Sequence, residues 1–234
     1  MKRDTLKSPS PSKMRLGLYG GSFDPIHNGH LRFAALSAYF FSLSRVVFVP
    51  DALSPHTYKT ISLPYPHRVK MVEKAVEGIP LFGLHRYQDP SAPSYTKDLL
   101  EEYRRTIPEA SLFFLLGSDA FLKVLTWKEG LELPRRVRFL VALRPGGRED
   151  LLRAFVEERV HLPLFTVESL EGAKALEEES REGVILFRHP SMVRLSSSQI
   201  REMAERRTPL HGLVPDGVRR YIEEKWLYTS EVES

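Results

Sequence analysis

The residues best suited to chemistry lie close together near the start of the chain, in Gly20-Gly21-Ser22-Phe23-Asp24-Pro25-Ile26-His27-Asn28-Gly29-His30. Gly20 and Gly21 let the backbone turn sharply and approach a ligand closely, Ser22 adds a hydroxyl, and Gly29 keeps the following helix start open to an anion. His27 and His30 stand three apart at that helix start, a spacing that puts both rings on one face and aims them at one anion. The chemistry this favours is the handling of phosphate groups. A turn histidine and a helix-capping histidine would explain the pair in purely structural terms, and two such histidines can also share a zinc ion. No third ligand stands at a recognisable spacing, however, and the chain has no cysteine.

A second group, Leu195-Ser196-Ser197-Ser198-Gln199-Ile200-Arg201-Glu202, opens another helix. Ser196 with Gln199 has the capping-box spacing, whereas Ser198 is followed at that spacing by Arg201, so Ser196 is the expected cap. Helix-start N–H groups beside a guanidinium form a ready oxyanion site. The structural alternative is a capped surface helix whose Arg201 faces solvent. Taken alone, Tyr95 and Trp127 read as core or interface aromatics, and Arg144 as a surface residue at a strand end.

These groups need elements to position them. Leu16 to Tyr19 reads as a buried strand ending in Gly20-Gly21, and Gly29 to Phe41 carries apolar residues at helical spacing. Further short apolar runs at 46–49, 112–116, 137–143 and 184–187 alternate with helix-like stretches at 66–76, 95–105 and 149–158. This alternation predicts an α/β fold, a single Rossmann-like doubly wound domain with a mostly parallel sheet covered on both faces. Ligands of such sheets bind outside the carboxyl ends of the strands, where the strand order reverses. An acidic, helix-prone stretch fills 145–182, ending in a charged run expected to be a solvated face. Residues 215–226 read as a closing amphipathic helix, so the C-terminal segment is helical.

The formal charge of +4 is misleading, because Lys2, Arg3, Lys7 and Lys13 against Asp4 supply +3 of it, leaving +1 for the body. A near-neutral body offers no field for steering a polyanion, so no nucleic-acid partner is expected. Without cysteine there is no thiol nucleophile, disulfide or thiolate metal site. No apolar run approaches the roughly 18 residues that would span a bilayer, so a cytoplasmic protein without a membrane partner is expected. Residues 1–13, with two Ser-Pro pairs, read as a disordered lead-in, with 14–234 as the functional domain and Met14 as an alternative start.

The chain resembles the bacterial-type nicotinate-nucleotide adenylyltransferases of the His-x-Gly-His nucleotidyltransferase superfamily. The resemblance runs from Leu16 to about Tyr228 and is carried by the Gly20–His30 loop, Pro93-Ser94-Tyr95-Thr96, Gly117-Ser118-Asp119, Thr126-Trp127, Arg144-Pro145-Gly146 and Ser196–Arg201. The first and last blocks mark the superfamily; Pro93 to Thr96 and Thr126-Trp127 mark the branch. It implies that His27 and His30 hold the ATP phosphates, with Gly20, Gly21, Ser22, Phe23 and Gly29 of the loop also binding ATP. Ser196, Ser198 and Arg201 would grip the β and γ groups from the other side. Gly117 and Asp119 would contact the ATP ribose, and Arg144 would lie along the adenine. Tyr95 and Thr96 would sit at the nicotinate carboxylate and Trp127 would stack on the pyridine ring. The family's pattern departs after the second strand, where Ser54-Pro55-His56-Thr57-Tyr58-Lys59 keeps a histidine, His56, for the acceptor phosphate. Thr57 takes the place of a basic residue there, which leaves Lys59 as its candidate replacement. Asp51 stands where the family often has an amide.

The reaction so implied moves AMP from ATP to nicotinate mononucleotide, with Mg²⁺ bridging phosphate oxygens and no protein metal site. Pantetheine-phosphate adenylyltransferases and cytidylyltransferases would share the histidine loop and the serine-arginine block; Tyr95, Thr96 and Trp127 distinguish them. A class I aminoacyl-tRNA synthetase fragment, or a nucleotide-sensing or RNA-binding module that uses the loop without chemistry, are further alternatives.

Overall fold

The central strand of the computed structural model, β4 (Ser111–Gly117), is apolar at five successive positions from Leu112 to Leu116. A strand this uniformly apolar must be covered on both faces. The structure describes residues 14–53, 61–143, 145–179 and 183–229; the expected lead-in over 1–13 lies outside them. Among these, β4 pairs with β1 (Arg15–Gly21) on one side and β5 (Arg138–Ala142) on the other. The sheet continues through β2 (Arg45–Pro50) to β3 (Phe82–Leu84) at one edge. At the other it runs through β7 (Val184–Phe187) to β6 (Leu164–Val167). Every pairing is parallel, and the order is β3-β2-β1-β4-β5-β7-β6. The fold is therefore Rossmann-like, as the alternation of elements predicts.

Period-two alternation divides the sheet between two cores. Tyr19, Phe48, Phe113 and Leu115 pack with Phe33, Met71, Ile200 and Val218. Those residues come from α1 (Asn28–Phe40), α2 (Tyr65–Val76), α8 (Ser197–Glu205) and α9 (Asp216–Glu224). Leu16, Leu18, Phe114 and Leu116 face the other way. They meet Leu99 of α3 (Thr96–Thr106), Phe121 of the short α4 (Ser118–Phe121), Leu133 of α5 (Leu133–Arg136) and Leu152 of α6 (Glu149–Phe155).

The two edge strands, β3 with 3 residues and β6 with 4, escape the sequence pattern. Each is too short to show a period, and β6 interrupts a stretch that reads as helical, ahead of α7 (Leu170–Glu179). The charged run 177–182 falls outside the described side chains. The closing helix α9 lies as expected, after a turn in which Gly212 adopts φ 75°.

The chain winds outward from β1 to β3, then returns to β4 and winds the other way. The strand order thus reverses between β1 and β4, and a crevice opens beyond their carboxyl ends. Gly20, Gly21 and Gly117 are the residues that end these two strands.

Candidate active site

Two cavities open at this reversal. One, of about 180 Å³, is lined by Ser22, Phe23, His27, Gly29, His30 and Ser197, among others. The other, of about 250 Å³, is lined by Tyr87, Tyr95, Thr96, Trp127 and Lys128, among others. Neither reaches the roughly 300 Å³ at which small-molecule pockets begin. They share Gly20, Gly21, Asp119 and Ala120, so they are two lobes of one cleft.

The histidine lobe is built on a reciprocal cap. His27 is the N-cap of α1: its Nδ1 accepts the N–H of His30 at 3.3 Å, and His30 Nδ1 accepts the N–H of His27 at 3.2 Å. This is a capping box made of two imidazoles, and the rings stack at 3.6 Å between centroids. The capping reading of the pair therefore holds for both histidines. Because both Nδ1 atoms are acceptors, a neutral ring carries its proton on Nε2. Both residues line the lobe, His27 with its Nε2 buried.

The glycines play a different part from the expected one. Gly20 and Gly21 are the last residues of β1 rather than the turn, and neither has positive φ. What the glycines supply is space: a Cβ on Gly20 would stand 2.7 Å from Phe114 Cζ, and one on Gly29 would stand 3.0 Å from the His27 ring. The left-handed conformation falls instead on Phe23, at φ 49°. For a side-chain-bearing residue that costs about 1–2 kcal/mol, so surrounding contacts must hold the loop in place.

Three side chains do so. Arg68, at 1% exposure, lies beneath the loop and donates to the carbonyls of Ser22 at 2.7 Å, Asp51 at 2.6 Å and Leu63 at 3.1 Å. Burial lowers its guanidinium pKa, opposed by the carboxylates of Asp51 and Asp24. Ser197 donates its hydroxyl to the Pro25 carbonyl at 2.9 Å. Arg201 donates to the Asp24 carbonyl at 2.9 Å and to Ser198 Oγ at 3.2 Å. The start of α8 is thereby stitched to the start of α1, and the positive ends of both helices meet at the histidine lobe.

Ser196 caps α8 with Gln199 as its spacing predicts: Ser196 Oγ accepts the Gln199 N–H at 3.2 Å, and Gln199 Oε1 accepts the Ser196 N–H at 3.0 Å. Ser196, Ser198 and Arg201 do not line the cavity; of the three serines in this block, Ser197 does. Gly117 and Asp119 line the histidine lobe. A Cβ on Gly117 would meet nothing within 4 Å, so that wall is open. Arg144, His56 and Lys59 lie outside the described residues.

The aromatic lobe gathers Tyr95, Thr96 and Trp127 from distant parts of the chain. Trp127 sits edge-on to Phe114 at 6.2 Å, which fixes its ring plane. Tyr95 is the N-cap residue of α3 and makes no side-chain cap, so the start of that helix opens beside Thr96 on the lobe. The lobe also holds Asp51, Lys123 and Lys128, with Lys128 Nζ 4.5 Å from the centroid of the Tyr95 ring. Burial, and then the charge of Asp51, raise the pKa of Tyr87 in the same lobe.

Sequence reasoning misses Arg68, although a signal exists. Arg68, Met71, Val72 and Ala75 are the buried residues of α2, at i, i+3, i+4 and i+7. A charged residue on an otherwise apolar stripe marks a buried polar hub.

Residues 18–203 match the cytidylyltransferase-like family model. The chain is 34% identical to a "Probable nicotinate-nucleotide adenylyltransferase" of Moorella thermoacetica, with 94% of each chain covered. It is 37% identical to one from Thermus thermophilus, covering 92% of this chain and all of that one. Among solved structures, Plasmodium falciparum nicotinic acid mononucleotide adenylyltransferase complexed with NaAD superposes with a TM-score of 0.67 over 92% of this chain and 97% of that one; at 18% identity, this is a likeness of fold. The chain belongs to the cytidylyltransferase-like family and, within it, to the nicotinate-nucleotide adenylyltransferases.

Proposed function

We propose that the chain transfers AMP from ATP to nicotinate mononucleotide, releasing pyrophosphate and forming nicotinate adenine dinucleotide, a step of NAD biosynthesis. The observation that carries this is the two-lobed cleft, in which a histidine lobe and an aromatic lobe share one wall at the ends of β1 and β4. Joining two nucleotides through their phosphates needs such a shared boundary. The names of the relatives support the same substrates, and solved neighbours are described with NaAD and with APC.

In this reading ATP occupies the histidine lobe, its triphosphate beside His27, His30 and the starts of α1 and α8. Nicotinate mononucleotide occupies the aromatic lobe. Its pyridine stacks on Trp127, and its carboxylate meets the open start of α3 at Tyr95 and Thr96, where a helix N-terminus favours an anion. A phosphate oxygen of the acceptor attacks the α-phosphorus in line. The new P–O bond forms as the α–β bridging P–O bond breaks, and pyrophosphate leaves with the electron pair. The phosphate monoester has its second pKa near about 6, so at neutral pH it is largely dianionic and needs no general base. The protein's task is to offset repulsion between anions: the Nε2–H groups of His27 and His30 donate to phosphate oxygens, and Arg201 adds positive charge behind the loop. No covalent enzyme intermediate is required.

Mg²⁺ fits this cleft as an ion carried on the triphosphate. Among the described residues no group of three or more His, Asp or Glu side chains is placed to hold a metal ion. Mg²⁺ commonly binds through substrate phosphates with one or two carboxylates. Asp119, which lines both lobes, would be the carboxylate to share its shell in this reading. Bound there, the ion would neutralise phosphate charge.

Trp127→Ala tests the placement of the acceptor. We expect the wild type to form the dinucleotide, and the variant to show a KM for nicotinate mononucleotide raised about fivefold, for the roughly 1 kcal/mol that aromatic stacking contributes, with the KM for ATP unchanged. Equal losses for both substrates would contradict the placement. A folded wild type with no turnover on this pair would remove the functional reading itself.

A further inference from the structure

The loop that carries His27 is also held from below by a residue far along the chain. Asp24 is 3% exposed, and both of its carboxylate oxygens are engaged: Oδ2 accepts the N–H of Ser62 at 2.6 Å, and Oδ1 accepts the hydroxyl of Tyr228 at 2.8 Å. Tyr228 lies 204 residues from Asp24 and lines neither lobe. Two features hold it there. Leu227, at 7% exposure, is buried in the core, and its N–H bonds the Ile222 carbonyl at 3.0 Å. On either side of it, Trp226 and Tyr228 take φ 51° and 66°, left-handed values that turn the chain back after α9. Burial and the adjacent Asp24 carboxylate raise the pKa of the phenol, so its hydroxyl remains a donor at neutral pH.

The position of Asp24 matters because its backbone is the other attachment point of the loop. Its carbonyl takes the Arg201 bond, Ser22 on one side takes the Arg68 bond, and Pro25 on the other takes the Ser197 bond. Those carbonyl contacts fix the course of the main chain. The Tyr228 and Ser62 bonds fix the one polar side chain buried between them, three residues before the first histidine.

We infer that Tyr228 is a positioning residue for adenylyl transfer, whose hydroxyl holds Asp24 and thereby sets where His27 and His30 present their Nε2 donors. The inference rests on the function proposed above. A displacement of about 1 Å in a catalytic group can cost up to about 10² in rate. The lobes proposed for the substrates, by contrast, are not lined by Tyr228.

The test is Tyr228→Phe, which keeps the ring and removes the single bond to Asp24. We expect kcat to fall about tenfold, with both KM values within about twofold of wild type. In ¹⁵N-labelled protein without substrates, the imidazole signals of His27 and His30 should shift or broaden while those of His161 and His211 stay in place. Wild-type kcat together with unchanged His27 and His30 signals would overturn the inference, even if the melting temperature fell, because Tyr228 would then only pack. If the wild type formed no dinucleotide, the functional reading would fail separately, and the imidazole signals would still decide whether Tyr228 sets the loop. Should Tyr228→Phe fail to fold, Asp24→Asn, which keeps the volume and removes one acceptor, carries the same expectations and the same overturning result.

Discussion

His30→Ala is expected to lower kcat by about 10²–10³, the range measured when a single preorganised donor is removed from an oxyanion site. The variant should still fold. Its second role, accepting the His27 N–H in the capping box, contributes about 0.5–2 kcal/mol at most. Two roles in one residue call for a second substitution that separates them. Glutamine is the residue that natural capping boxes use at this helix position, so His30→Gln should restore the cap and the melting temperature. It should not restore turnover, because its amide does not place a donor where imidazole Nε2 stands. Recovery of kcat in His30→Gln would mean that His30 acts through the helix cap alone. Parallel thermal melts and steady-state kinetics on the two variants distinguish these outcomes.

The largest effect on stability is expected at Arg68. Arg68→Met removes the donors to the Ser22, Asp51 and Leu63 carbonyls and the buried positive charge near Asp24 and Asp51. Breaking a buried charged network by deleting one member costs about 3–5 kcal/mol. For a chain of this length that corresponds to a melting temperature lower by roughly 10 °C. Arg68→Lys should recover little, since an ammonium cannot reach carbonyls spread around a planar guanidinium. The carbonyls belong to the histidine loop, the chain leaving β2 and the entry to α2, so the folded fraction should also lose turnover. A melting temperature within about 2 °C of wild type, measured by circular dichroism, would contradict the part assigned to Arg68.

Most of this molecule is legible in the sequence wherever a segment carries its own pattern. β1, β4 and β5 are continuous apolar runs because both faces of a parallel sheet are buried, and α8 announces itself through Ser196 and Gln199. Edge strands carry less: β3 and β6 each bury too few residues to leave a period. The Gly20–His30 loop stands out as a candidate site on its residue types, yet the use made of its glycines does not. Gly20 and Gly29 supply room for Phe114 and His27, while the positive φ falls on Phe23, whose side chain gives no sign of it.

The residues that hold the loop are hidden for a different reason. Asp24 before a proline reads as a turn former, Arg68 sits on a helical stripe as though it were apolar, and Tyr228 looks like one more aromatic of a terminal segment. Only the fold joins them, through contacts spanning 46 residues from Arg68 to Ser22 and 204 from Tyr228 to Asp24. Spacing rules act over one or two helical turns and cannot register such pairs. The aromatic lobe has the same character. Tyr95 and Trp127 are unremarkable aromatics until the sheet brings the start of α3 and the segment after α4 to one cavity.

The most direct test of the account follows the phosphorus atoms of ATP through a reaction with nicotinate mononucleotide and Mg²⁺. Label placed at the α position should be recovered in nicotinate adenine dinucleotide, and label at the γ position in pyrophosphate, with none retained on the protein. Recovery of the γ label as inorganic phosphate with α label in ADP, or failure of α label to enter a dinucleotide, would contradict AMP transfer across the shared wall of the two lobes.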